Sequence, residues 1–269
     1  MNSNKINLEQ WNRKEHFEQE DNIQLAVLSE DKVMIKQELK IEGIPAILWG
    51  GKSDKIFIAI HGNMSNKADD AIVIFAEEAT VQGYQVISFD LPEHGDRKEE
   101  AYACKVQNCV HDLDIIMRYT LKQWDDISIF ACSIGAYFSL LAYNNFPLKQ
   151  CLFLSPVLDM ERIIKNMMTW FSVSEDRLKV EREISTPIGQ TLYWDYYCYV
   201  KSHPVNTWNK PTAILYGSED DLCEYDVIST FASRFHCHLK VMEHGKHYFH
   251  TKEQLQFYRQ WLKEHLFPN

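Results

Sequence analysis

The chain has 269 residues, 45% of them hydrophobic and 25% charged, enough to bury a large core without staples and compatible with one α/β domain over 1–269. With 28 basic against 38 acidic residues the net charge is −10, so the surface repels phosphate backbones and no nucleic-acid partner is expected. No run approaches the ~18 apolar residues of a membrane span. The first residues lack the apolar block of a secretory leader, and the seven cysteines are odd in number with no C-x-x-C. The chain therefore reads as cytoplasmic, without a membrane partner, its thiols reduced and mostly buried. Its oligomeric state is left open.

Residues 1–31 are polar with sparse apolar anchors (Ile6, Leu8, Trp11, Leu25, Val27) and read as an N-terminal arm. Val33–Ile41 alternates as a half-buried strand, and Glu42-Gly43 turns it into Ile44–Trp49. Short apolar runs follow at Ile56–Ile60, Tyr84–Phe89, Ile127–Ala131, Cys151–Leu154, Thr212–Tyr216 and Leu239–Met242. Bounded by Gly, Asp and Pro, they fit strands buried on both faces of a mainly parallel sheet.

Helical stripes lie between them. They are Ala68/Ala71/Ile72/Phe75/Ala79, Val106/Val110/Leu113/Met117/Leu121/Trp124, Ala136/Leu140/Tyr143, Val227/Ile228/Phe231/Phe235 and Leu255/Tyr258/Leu262/Leu266. A hairpin followed by alternating strands and helices predicts a doubly wound α/β sheet with an antiparallel edge. Ligands of such sheets bind beyond the C-terminal strand ends, so chemistry is expected in the loops after strands.

Three such loops carry candidate residues. Ala131-Cys132-Ser133-Ile134-Gly135 joins a strand to a helix, with small residues two positions either side of Ser133. That spacing permits a sharp turn that exposes the hydroxyl beneath a helix N-terminus, although a Ser there can also be a plain helix cap. Gly217-Ser218-Glu219-Asp220-Asp221 follows another strand and offers three acids, a pattern also common in solvated loops. His247 lies between the last strand and the last helix.

Ser, Asp and His thus follow one another in chain order, each in a strand-to-helix loop at one edge of one sheet. On these residues, together with His61-Gly62 after the third strand and Asp90–Arg97 after the fourth, the chain resembles the α/β-hydrolase superfamily over residues 33–266. The resemblance implies a serine hydrolase, most simply a carboxylesterase, that needs no metal or organic cofactor. Ser133 would be the nucleophile, His247 the general base and Asp220 the acid that orients it. Asp220 is preferred because it stands three residues after Gly217, with Asp221 and Glu219 as close rivals and Asp159 as a distant one. The oxyanion hole would use the backbone N–H groups of Ile134 and Asn63. His61 reads as a loop brace rather than a base.

Asp90-Leu91-Pro92-Glu93-His94-Gly95-Asp96-Arg97 resembles the family's D-x-P-G-H-G-x-S loop but departs from it at Glu93 and Arg97. Its H-G-x-R ending is similar to small esterases and dienelactone-hydrolase-like branches. Cys132 is expected to point into packing rather than to serve as a thiol nucleophile. His236, His238, His244, His247 and His250 lack the acid or cysteine spacing of a metal site.

Residues 158–210 form a long insertion rich in Met and aromatics, among them Met160, Met167, Met168, Trp170 and Tyr193–Tyr199. They read either as ordinary helix packing or as a small cap giving an apolar pocket for an ester with an apolar part. Thioesterase and amidase activity on the same residues, a non-hydrolytic binding role and acyl transfer are the competing readings.

Overall fold

The computed structural model describes residues 22–28 and 32–266. The strands are β1 (Asn22–Leu28), β2 (Lys32–Ile41), β3 (Ile44–Trp49), β4 (Lys55–Ile60), β5 (Gln85–Phe89), β6 (Asp126–Cys132), β7 (Cys151–Leu154), β8 (Glu183–Ser185), β9 (Thr191–Tyr193), β10 (Thr212–Gly217) and β11 (His238–Met242). The helices are α1 (Asp70–Val81), α2 (Val106–Leu121), α3 (Ile134–Ala142), α4 (Met160–Trp170), α5 (Glu175–Glu181), α6 (Trp194–Ser202), α7 (Tyr225–Arg234) and α8 (Lys252–Leu266).

All strands but β8 and β9 join one nine-stranded sheet in the order β1-β2-β3-β5-β4-β6-β7-β10-β11. From β5 to β11 neighbouring strands run parallel, whereas β1, β2 and β3 pair antiparallel at one edge. Part of the expected N-terminal arm is therefore strand, because residues 22–28 pair with β2 from Asn22↔Glu38 to Leu28↔Lys32. The expected anchors Ile6, Leu8 and Trp11 lie outside the described residues. Among the described residues, no helix is long and apolar enough to cross a membrane.

Side chains alternate across the sheet with the period of two that a strand imposes. Along β4, Ile56, Ile58 and Ile60 face a core shared with α2, α3 and α7, while Phe57 and Ala59 face one shared with α1 and α8. In the second core Phe75 stacks on Phe130 at 4.1 Å between centroids and meets Phe57 edge-on at 5.0 Å. Each such buried aromatic contributes about 1.5–3 kcal/mol of transfer free energy. Helix starts are fixed locally: Asp69 accepts from the Ala71 N–H, Asp159 from Arg162 and Ser174 from Arg177.

The parallel register aligns the strand ends. Ile60 stands opposite both Phe89 and Ala131, Cys132 opposite Leu154, Leu154 opposite Leu215, and Gly217 opposite Met242. The loops beginning at His61, Asp90, Ser133, Ser218 and Glu243 therefore all leave from one edge. Between β7 and β10 the chain forms α4, α5, the β8–β9 hairpin and α6, where the sequence predicts only an insertion.

Candidate active site

Ser133 sits at the turn from β6 into α3 with φ 49° and ψ −120°, a left-handed conformation that is uncommon and strained for a residue with a side chain. Its surroundings hold it there. The Ser133 N–H donates to the Leu154 carbonyl at 3.0 Å, and the Ser133 carbonyl accepts from Ala136 at 3.1 Å and Val157 at 3.0 Å. The start of α3 presses against the exit of β4: a Cβ on Gly135 would fall 2.6 Å from the His61 carbonyl oxygen. Only glycine fits. The Ser133 side chain does not cap α3; its Oγ lies 2.9 Å from His247 Nε2.

On the other side of that ring, His247 Nδ1–H donates to Asp220 Oδ2 at 2.7 Å. The second carboxylate oxygen of Asp220 accepts from the backbone N–H groups of Leu222 at 2.9 Å and Cys223 at 2.8 Å. The Asp220 carboxylate is fully buried, and the His247 ring is 17% exposed. With Nδ1 donating to a carboxylate, Nε2 is left as an acceptor facing the Ser133 hydroxyl.

The rival acids lie elsewhere. Glu219 pairs on the surface with His244 Nδ1 at 2.8 Å, Asp221 is exposed, and Asp159 is the cap of α4. The acid and histidine loops are joined backbone to backbone. Glu219 N–H donates to the Gly245 carbonyl at 2.7 Å, and a side chain on Gly217 would collide with that same carbonyl.

His61 is buried, with Nδ1–H donating to the Gly62 carbonyl at 2.7 Å and Nε2 accepting from the Leu91 N–H at 3.0 Å. It braces one loop against the next, as its sequence position suggests. Burial pushes its pKa down to about 4. Above about pH 6.5 the group is neutral whether the chain is folded or not; below it, the unfolded chain binds a proton that the native ring refuses down to about pH 4. Stability should therefore fall as pH drops through that window, by on the order of 3 kcal/mol from this residue. Urea unfolding at several pH values checks this: the decline should be shallower in His61→Asn, and an equal slope would assign it to other groups.

The segment after β5 is held by buried charge. Asp90 accepts from the Lys67 N–H at 2.8 Å, from Lys67 Nζ at 2.6 Å and from the Asp96 N–H at 3.0 Å. Arg97, one of the two departures from the family pattern, is buried and spans from the Asp90 carbonyl at 3.1 Å to Asp112 of α2 at 2.6 Å. It anchors the loop to the helix that follows. His94 donates from Nδ1 to the Pro92 carbonyl at 2.7 Å, and its Nε2 accepts from the Met64 N–H at 3.1 Å. The Asn63 side-chain amide lies 3.1 Å from the same nitrogen.

Asn63, Ser133 and Ile134 line one cavity of about 160 Å³, whose remaining wall is mostly Val157, Met160, Ile163, Ile164, Met167, Trp170, Leu192, Tyr193 and Tyr196. The 158–210 insertion thus covers Ser133 with apolar side chains. A larger, more open cavity of about 370 Å³ lies on the far side of Met160, between α4, α6 and α7. Cys132 is partly buried, and burial raises its thiol pKa, which disfavours the nucleophilic thiolate. The histidines singled out for a metal reading do not gather. Among the described residues, Asp220, Cys223 and His247 bring possible ligand atoms within 4.8 Å of one another. There the carboxylate is already engaged by His247 and two amides, and burial raises the Cys223 thiol.

The sequence matches no known family profile, and no curated protein matches it. Solved structures do match. Est1E from Butyrivibrio proteoclasticus, in a complex with ferulic acid, superposes with a TM-score of 0.69 at 21% identity, covering 84% of this chain and 96% of that one. Mouse alpha/beta hydrolase domain-containing protein 10 gives 0.66 at 15% identity over 90% and 97%. The Pyrococcus furiosus esterase Pf2001 gives 0.60 at 17% identity over 91% and 88%. The chain has the α/β-hydrolase fold.

Proposed function

We propose that this protein is a serine hydrolase acting on carboxylic esters. The observation that carries the reading is the continuous hydrogen-bonded chain from Asp220 through His247 to Ser133, at the edge where the fold gathers its loops. Ser133 Oγ attacks the ester carbonyl while His247 Nε2 takes its proton. The same proton then goes to the departing alkoxide. Asp220 holds the tautomer and stabilises the imidazolium, and water later releases the acyl group from Ser133 by the reverse sequence.

The N–H of Ile134 belongs to the first residue of α3 and has no partner within the helix. With the N–H of Asn63 from the neighbouring loop it would receive the negative oxygen of the tetrahedral intermediate. One such donor contributes about 2.7–4 kcal/mol to the transition state. All groups in this scheme belong to the chain itself. The seven free cysteines favour a reducing compartment such as the cytoplasm.

The cavity size suggests the substrate's acyl part. About 160 Å³ of mostly apolar space is close to the ~150 Å³ of an engineered apolar cavity that takes up benzene. A ring or a short chain fills it; long acyl chains do not.

The test uses a fluorophosphonate probe and a series of aryl esters of graded acyl size. The parent protein should be labelled on Ser133, and kcat/KM should peak at acyl groups of benzoyl size and fall for long chains. Absence of labelling, with no turnover of any ester, would overturn the reading in favour of a non-hydrolytic role. Ferulate esters belong in the series because a structural neighbour binds that acid.

A further inference from the structure

Cys104 and Cys109 stand apart from the chemistry assigned above, yet their sulfurs lie 3.6 Å apart. Cys104 is half-buried in the segment entering α2, and Cys109 lies fully buried in the first turns of that helix. The Cys104 N–H donates to Glu93 at 2.6 Å, and Glu93 immediately precedes His94 in the chain. His94 is the residue that holds the Met64 N–H and contacts Asn63. One step therefore separates the thiol pair from the loop on the ester site.

We propose that Cys104 and Cys109 are a peroxide-oxidisable thiol pair whose disulfide loosens the Asn63–Met64 loop through His94 and slows turnover. The effect on turnover rests on the hydrolase reading; formation of the disulfide does not.

The two sulfurs have different roles. The hydrogen bond from the Cys109 thiol lowers the Cys104 pKa to about 6, while burial pushes Cys109 up. Cys104 is thus the attacking thiolate. It attacks one oxygen of a hydroperoxide, the O–O bond breaks, and the other oxygen leaves as an alcohol or water with the proton that Cys104 gave up. Cys104 is now a sulfenic acid. The Cys109 sulfur then attacks the Cys104 sulfur, the S–O bond breaks, and the hydroxide leaves as water with the Cys109 proton. Two electrons from the pair have reduced one peroxide. Bonding draws the sulfurs from 3.6 Å to about 2.05 Å, which shifts the Cys104 segment whose N–H holds Glu93, the residue before His94.

Lys105 lies between the two cysteines, so trypsin separates residues 99–105 from 106–118, with one cysteine in each. The full-length protein is treated with a slight excess of hydrogen peroxide, its remaining thiols are alkylated, and it is digested. The two peptides should appear covalently joined, about 2 Da lighter than their sum. Hydrolysis of an aryl ester should fall by on the order of tenfold, as misplacement of a positioning loop predicts, and return with dithiothreitol. Cys109→Ala should instead accumulate a dimedone-reactive sulfenic acid at Cys104, and Cys104→Ser should keep its turnover in peroxide. Unjoined peptides in the oxidised parent protein would overturn the pair, whatever the ester assays give. A joined pair with unchanged turnover, or a Cys104→Ser variant as peroxide-sensitive as the parent, would overturn its link to the loop.

Discussion

Ser133→Ala should lower kcat for aryl esters by about 10⁶-fold, the usual cost of losing the nucleophile of such a site, and abolish fluorophosphonate labelling. Its folding stability should barely change. Alanine keeps the Cβ that fits against Gly62 and carries the same backbone strain as serine at φ 49°. The hydrogen bond it loses is the one to His247, on a ring that reaches solvent. Steady-state kinetics and thermal unfolding on one preparation separate the two effects. Turnover like that of the parent would remove Ser133 from the mechanism, and a collapse in stability would make the activity loss uninformative.

The second large effect is expected at Asp220. Asp220→Asn should lower kcat by on the order of 10⁴-fold, because an amide N–H facing Nδ1 turns the imidazole to the tautomer that cannot accept the Ser133 proton. Asp221→Asn, Glu219→Gln and Asp159→Asn should each stay within a few-fold of the parent, since their carboxylates lie on the surface or cap a helix, a task asparagine performs as well. Measuring kcat for the four variants decides the assignment. Near-normal turnover in Asp220→Asn would move the acid to whichever other variant collapses.

Much of this arrangement is legible in the sequence because it is written locally. The six apolar runs predicted to be parallel strands are β4, β5, β6, β7, β10 and β11, each within a residue of its predicted ends. Each is short, continuous and closed by a turn residue, and all but β11 are buried as a strand covered on both faces must be; β11, expected to be buried too, is the partly exposed edge strand. Ser133 and His247 are visible from their flanking turns.

Elsewhere no local period exists to be read. β8 and β9 have three residues each and α5 has seven, too short to show alternation or a helical stripe. β1 lies in a polar context and becomes a strand by pairing with β2. Which of Glu219, Asp220 and Asp221 meets His247 depends on an aspartate accepting the amides two and three residues on, a turn preference that favours Asp without saying which one. Arg97 looks like a departure from a motif until Asp112, a residue of the following helix, is seen to receive it.

The sequence separation of the three site residues bears on when the protein acquires chemistry during synthesis. Ser133 and His247 are 114 residues apart, and Asp220 and His247 are 27 apart. A nascent chain emerging N-terminus first displays the strained serine turn long before it holds any base to activate it. The histidine loop is then set in place by β11, the last of the described strands to be made, pairing beside β10. An unfinished or C-terminally clipped chain can therefore carry most of the sheet and the whole serine turn and still lack the His247 contact to Ser133. On the proposed hydrolase reading, activity would switch on with the closing step of assembly, and ester turnover would report complete folding stringently.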